Sequence, residues 1–326
     1  MLTVKLRGLA RGALGITLET IDPNGAGGTA EVSTGDSTTE RVGVYLAEDD
    51  RRAAGRALHW AQSHKLDRLE ILADGHGGSI ARRVGYFTLG MQRPIVRAWA
   101  VDGATATKAD PTLVTQAPDI PSRELALAGV IAGSGATPVD DYGLLVAEVS
   151  GLEIGRVVDF GQGPIIEVGV GEADREMAHA VHSDASPAEG LSRVMSSVLV
   201  HRRAGSHHPL ARIGRERWLR STLIDDPGII GAAELVALPP LVPRDGLNLA
   251  SPAAAAGSDS SGQPIVVVSM IGIDLDLLPE AADYRERHKP DARLVVTVPE
   301  RDLAISSRLI TGLHNAEVQA IPEPWA

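Results

Sequence analysis

The apolar residues of this 326-residue chain come in short runs, and that limits what it can fold into. "RLEILAD" (68–74), "PIVRAWAVDG" (94–103), "PIVVVSMIGI" (264–273) and "ARLVVTVP" (292–299) are rich in Val, Ile and Leu and bounded by Gly, Pro or charged residues. Such runs are too short to cross a bilayer as helices and suit strands buried on both faces of a sheet. Between them lie segments of helical spacing. "DRRAAGRALHWAQSHK" (50–65) brings Ala54, Leu58 and Ala61 near one face. Aromatic residues are only 3% of the chain, so aliphatic side chains must fill the core. Val/Ile strands covered by Ala/Leu helices meet that requirement.

Read in order, the chain predicts short strands at "LTVKLRG", "GITLETID", "GTAEVS" and "RVGVYLA", separated by the turn-forming "DPNGAGG" and "STGDSTTE". A β-α-β-α-β succession follows, its second helix beginning near Ser79. "SRELALAGVIAG" reads as a helix, and "YGLLVAEV", "LEIGRVVDF" and "PIIEVGVG" read as strands. "GEADREMAHAVH" and "SPAEGLSRVMSSVLVHRR" read as helices, the latter opening on a Ser-Pro start signal. A second β-α-β-α-β succession ends the chain. It echoes the first: "HWAQSHKLDRLEILAD" and "DYRERHKPDARLVVTV" share an aromatic residue four before His-Lys, then Asp, then Arg-Leu leading into a strand.

The fold expected is therefore α/β: two related β-α-β-α-β units, each preceded by short, mostly antiparallel strands, with extra helices in the second half. The divisions expected are an N-terminal unit over 1–103, a Thr/Ala/Pro-rich linker over 104–121, and a C-terminal unit over 122–326. The last carries a helical insertion at about 172–224 and a low-complexity loop at 249–264. The chain has no cysteine, which excludes disulfides, thiolate nucleophiles and cysteine zinc sites. Its first twenty residues lack the apolar core of a signal peptide, so the expectation is a cytoplasmic protein with no membrane segment.

Charge singles out one place. "HRRAGSHHPLARIGRERWLR" (201–220) holds six arginines and one glutamate, formally +5. With a net charge of −11 overall, the rest of the chain sums to −16. Guanidiniums form paired hydrogen bonds with phosphate, and histidines near a helix start add donors. The anion-binding candidates are Arg202, Arg203, His207, His208, Arg212, Arg215 and Arg220, and the expected partner is a nucleic acid or a phosphorylated ligand. The plainer account has these arginines pairing with carboxylates of the same chain, a second copy or a protein partner, in a non-catalytic scaffold.

Two carboxylate sets are the other candidates. Asp141, Glu153 and Glu167 lie on or beside strands, in an order that resembles a PD-(D/E)XK nuclease holding Mg2+. The departure from that pattern is the lack of any lysine between Lys108 and Lys289, since Arg156 cannot replace a lysine base. Asp274 and Asp276, like Glu48, Asp49 and Asp50, precede a helix where a metal or a ribose could sit. The simpler account is that they cap the helix and complement its dipole. "ADGHGGS" (73–79) has neither a P-loop lysine nor the spacing of a dinucleotide fingerprint, and reads as a flexible turn.

"AEVSGLEIGRVV", "IEVGVGEADRE", "HPLARIGRERWLRS", "GIDLDLLPEAAD" and "ARLVVTVPERD" resemble a conserved group of uncharacterised actinobacterial proteins. The resemblance covers mainly residues 140–326 and, more weakly, the first α/β unit. It implies a bacterial, cytosolic protein and carries over no activity and no catalytic residue.

Overall fold

The computed structural model describes residues 1–34, 39–88, 93–172, 174–175, 186–244, 246, 249, 251–303 and 309–326. The architecture is mixed α/β, with three sheets and flanking helices. Two compact units divide it. One comprises Met1–Val114, Ile273–Glu286 and Ala304–Glu317; the other comprises Thr115–Gly272, Arg287–Leu303 and Val318–Ala326. Two pieces of the C-terminal α/β succession thus belong to the first unit.

The first unit opens on helix α1 (Leu2–Leu14). "LTVKLRG", expected as a strand, is helical because Leu2, Leu6, Leu9 and Ala10 fall on one stripe. Leu6 and Leu9 join a core with Val42, Val44 and Leu46, whereas Val4 stays exposed. Of the strand expected at "GITLETID", only β1 (Thr20–Ile21) forms. β1, β2 (Gly27–Ser33), β3 (Thr39–Glu48), β4 (Arg68–Asp74), β5 (Ile95–Asp102) and β6 (Thr105–Lys108) make a six-stranded sheet in that order. β3, β4 and β5 run parallel, and the outer pairs are antiparallel. Helices α2 (Ala53–Ser63) and α3 (Gly77–Thr88) are the crossovers that parallel pairing requires. The expected α2 face is the buried one, with Ala54, Leu58 and Ala61 all sealed from solvent.

Small residues set the spacing here. Trp60 lies so close to the sheet that a Cβ on Gly27 or Gly43 would come within 2.6 Å of its ring. On α2, Gly55 faces Leu275, whose carbonyl a Cβ would strike, and its N–H donates to Asp276 at 2.6 Å. At "ADGHGGS", α3 starts at Gly77 with Ser79 inside it, so Ser79 is not its cap. A Cβ on Gly77 would press on Ala100 at 3.2 Å. These glycines permit close packing.

The second unit begins with two short helices, α4 (Ser122–Leu125) and α5 (Ala128–Gly133), where one had been expected. Next comes an antiparallel meander of β7 (Thr137–Asp140), β8 (Leu145–Val149), β9 (Leu152–Asp159) and β10 (Pro164–Val168). Helix α6 (Pro187–His201) lays Leu191 and Val198 on this sheet. The helix expected over 171–182 falls largely outside the described residues, as does much of that expected over 301–313. Helix α7 (Arg215–Asp225) packs on the third sheet, ordered β11 (Ala232–Ala237), β12 (Ala253–Asp259), β13 (Pro264–Ser269), β14 (Arg293–Pro299) and β15 (Ala316–Ile321).

The low-complexity loop expected over 249–264 is not a loop at its centre. Ala253–Asp259 is β12, hydrogen-bonded on both sides. Alanine is a weak strand former, but Ala255 leaves room for Trp218 and Leu219 in the core. β13 and β14 are parallel and share a buried Ser269–Thr297 hydroxyl contact of 2.8 Å. Strand order around the parallel pair is the same in both large sheets: an antiparallel neighbour, then β3–β4–β5 or β13–β14–β15. No helix among the described residues is long and apolar enough to cross a membrane.

Two glycine substitutions test the packing account with opposite signs. Gly55→Ala should lower the urea-unfolding free energy by about 1–3 kcal/mol through overpacking. Gly85→Ala, with open space around its Cβ in α3, should raise it by up to about 1 kcal/mol.

Candidate functional site

The arginine-rich segment starts where α6 ends. α6 is fixed at its start by a capping box: the Glu189 N–H donates to the Ser186 hydroxyl at 3.3 Å, and the Ser186 N–H donates to Glu189 at 3.1 Å. At its other end Arg202 turns inward. Its Nε and Nη2 donate to the Ser150 carbonyl at 3.0 and 2.7 Å, and its Nη1 donates to the Leu210 and Ile213 carbonyls at 2.8 Å. The guanidinium lies 4.3 Å from the Trp218 ring centroid. Burial and then the Arg217 charge pull its pKa down to about 9, and among the described residues no carboxylate bonds to it. Arg202 therefore staples the β8–β9 turn to the entrance of α7.

α7 is buried nearly all round. Trp218, Leu219 and Leu223 face the core, while Arg217 and Arg220 share the opposite side at i,i+3 spacing. Both reach Glu148 on β8. Arg217 Nη1 donates to Glu148 Oε1 at 3.1 Å, and Arg220 Nη2 donates to Oε2. Burial pushes the Glu148 carboxyl up, but Arg220, Arg217 and Arg244 outweigh it and hold the group at about 2. Gly151, at φ 72, lets the β8–β9 turn meet the α7 backbone, where a Cβ would strike Arg217 and Trp218. Asp141 lies 3.9 Å from Arg217 Nη1 and 3.2 Å from Arg244 Nε.

The rest of the segment faces outward. Arg203, His207, His208 and Arg212 are exposed, and the side chains of Arg203 and Arg212 make no ion pair among the described residues. The His201 and His208 rings stack with centroids 3.7 Å apart. Arg215 is half-buried, 4.6 Å from the Trp325 ring centroid, with Nε donating to the Ala211 carbonyl at 3.0 Å. Its pKa is lowered, first by burial and then by the Arg301 and Arg212 charges, against Glu323. Arg301 pairs with Glu323 at 2.6 Å in the wall of an open groove of about 600 Å³, also lined by Glu300, Ala320, Ile321 and Pro322. Arg212 and Arg215 thus lie close to a groove whose own Arg301 is answered by Glu323.

The carboxylate candidates meet basic side chains, mostly arginines, rather than one another. Glu153, 1% exposed, accepts from Arg156 Nε at 2.7 Å and Arg175 Nη1 at 3.2 Å. Glu167 lies 3.8 Å from Arg175. In the first unit, Asp274 pairs with Arg52, and Asp276 accepts from Arg83 Nη1 at 2.5 Å. Burial pushes Asp276 up to about 7 despite Arg83 and the Gly55 N–H. Asp283 accepts from Arg82, Arg83 and Tyr86 at 2.7–3.1 Å. Glu48 pairs with Lys5 at 2.7 Å, and Asp50 pairs with Arg56. Among the described residues, no group of three His, Asp or Glu could hold a metal ion.

The sequence reading omitted Arg217, Arg244 and Trp325. Arg217 was recoverable from its i,i+3 spacing to Arg220 and its place beside Trp218. Arg244 and Trp325 lie far along the chain and carry no local signal. Comparison with family models, curated proteins and solved structures finds no match.

Glu148→Gln should cost about 3–5 kcal/mol at pH 7 by leaving two buried guanidiniums without their counter-charge. The folded-state value of about 2 lies below the ordinary 4.5, so Glu148 stabilises fully above pH 4.5 and loses that effect as pH falls towards 2. The difference in urea midpoint between wild type and variant should therefore shrink below pH 4.5.

Proposed function

We propose that this protein binds an anionic partner through the exposed face of 203–215, with phosphate as the recognised group. The observation that carries the reading is the outward placement of Arg203 and Arg212, without an ion pair among the described residues, in a chain whose net charge is −11. A strongly acidic protein that leaves two guanidiniums uncompensated beside His207 and His208 presents a local attractor for phosphates. Arg215 extends it towards the groove, and the Trp325 ring under Arg215 fixes that guanidinium in place. Arg202 and Arg220 serve this surface indirectly, because both guanidiniums are turned into the unit, Arg202 onto backbone carbonyls and Arg220 onto Glu148. The shared strand order of the two large sheets supports reading the scaffold as a duplicated unit. The nuclease reading draws less support, since Asp141, Glu153 and Glu167 each face a guanidinium.

Fluorescence anisotropy separates the sources of phosphate. Labelled single-stranded DNA, duplex DNA, RNA and a labelled nucleotide are titrated at low salt and again over a salt series. Binding to a polyanion should weaken linearly on a log–log salt plot, and Arg203→Ser/Arg212→Ser should flatten the slope by about 2. Binding to the nucleotide alone identifies a phosphorylated small ligand. Retention of none of the four probes at low salt removes the reading.

A further inference from the structure

Behind the exposed face, the second unit buries more positive charge than its own carboxylates answer. Arg202, Arg217, Arg220 and Arg244 are electrostatic neighbours of Asp141, Glu148 and Glu216, four guanidiniums to three carboxylates, an excess of one positive charge. Arg217 and Arg220 are 1% and 2% exposed, so solvent screens little of it. The Nε–H groups of Arg217, Arg220 and Arg244 are all buried without a hydrogen-bond acceptor among the described residues. Arg244 Nε lies 3.2 Å from Asp141 Oδ1, but the two are misaligned, and that oxygen has no donor among the described residues. Three orphaned donors in one charged cluster are uncommon in a folded protein, where buried polar groups find partners.

A second observation comes from the start of α7. Its N-cap is Gly214, in the left-handed region at φ 54, and no side chain caps the helix. A Cβ there would come within 3.3 Å of Arg217 Nε and 3.5 Å of Nη2, so glycine leaves that edge of the guanidinium uncovered. The helix start adds its own partial positive charge to the same place, answered in part by the Glu216 carboxylate of its first turn. Burial and neighbouring arginines also pull the Arg244 guanidinium below its ordinary pKa, which a counter-ion would reverse.

We infer that this cluster holds one monovalent inorganic anion, chloride in solution, hydrogen-bonded by the Nε–H groups of Arg217, Arg220 and Arg244. A single negative charge cancels the excess. A single-atom ion suits a sealed position better than a tetrahedral oxyanion does. The ion is structural: it fixes the α7 arginines from within and is separate from the phosphate-binding face outside.

The test is thermal unfolding of the full chain in sodium gluconate, replaced stepwise by sodium chloride at constant ionic strength. The melting temperature should rise and saturate with chloride. Arg244→Gln, which keeps the two arginines of α7, should need about tenfold more chloride for half the effect. Arg203→Ser/Arg212→Ser should leave the response unchanged, which separates this site from the exposed face. Crystals soaked in bromide provide a readout independent of stability, with an anomalous peak between the three Nε atoms. A melting temperature indifferent to halide, a response preserved in Arg244→Gln, stabilisation by phosphate alone, or no bromide at the cluster overturns the inference.

Discussion

The contact between Glu148 and the two arginines of α7 governs the second unit. Both oxygens of a fully buried carboxylate are occupied by Arg217 and Arg220, so β8 of the meander is tied to a helix that packs on β11–β13. Neither side can be released without leaving a charge in the interior, which costs far more than an exposed ion pair is worth. Once that face of α7 is committed inward, helical periodicity settles its other neighbours. Trp218 and Leu219 enter the core of the third sheet, and Arg215, two residues before Arg217, reaches the Trp325 ring. The outward cationic face is what remains of the segment after the inner face has been used.

The first unit relies on the same kind of interaction with the opposite balance. Asp283 gathers Arg82, Arg83 and Tyr86, Asp276 takes a second bond from Arg83, and Asp274 holds Arg52. With Glu280 3.9 Å from Arg52, four acids here face three arginines, and burial drives Asp276 towards its protonated form. In a chain so poor in aromatics, arginine supplies much of the organisation that large rings otherwise give. A planar fork with five donors can bridge several carbonyls at once, as Arg202 does, and a lysine could not.

Much of the α/β pattern was legible because parallel strands buried on both faces must be continuously apolar. β4, β13 and β14 could be read from their Val, Ile and Leu runs alone. Two segments were misread for related reasons. Residues 2–8 alternate polar and apolar like a strand, but the longer stripe through Leu6, Leu9 and Ala10 packs on the sheet as a helix. Residues 253–259 are too small and repetitive to signal a strand, yet they sit between two partners and beneath α7. Local pattern reports a preference, and tertiary neighbours can override it when they supply hydrogen bonds and cover.

The sequence by itself determined the alternation of strand and helix, the aliphatic core, and the concentration of positive charge at 201–220. These depend on periodicity and composition, which are local properties. Only the tertiary structure decided which arginines are spent inside and which remain at the surface. That choice rests on carboxylates and rings far along the chain: Glu148 for Arg217 and Arg220, Glu323 for Arg301, and Trp325 for Arg215. A charge's role is set by what it faces after folding, and spacing in sequence carries no record of that distance.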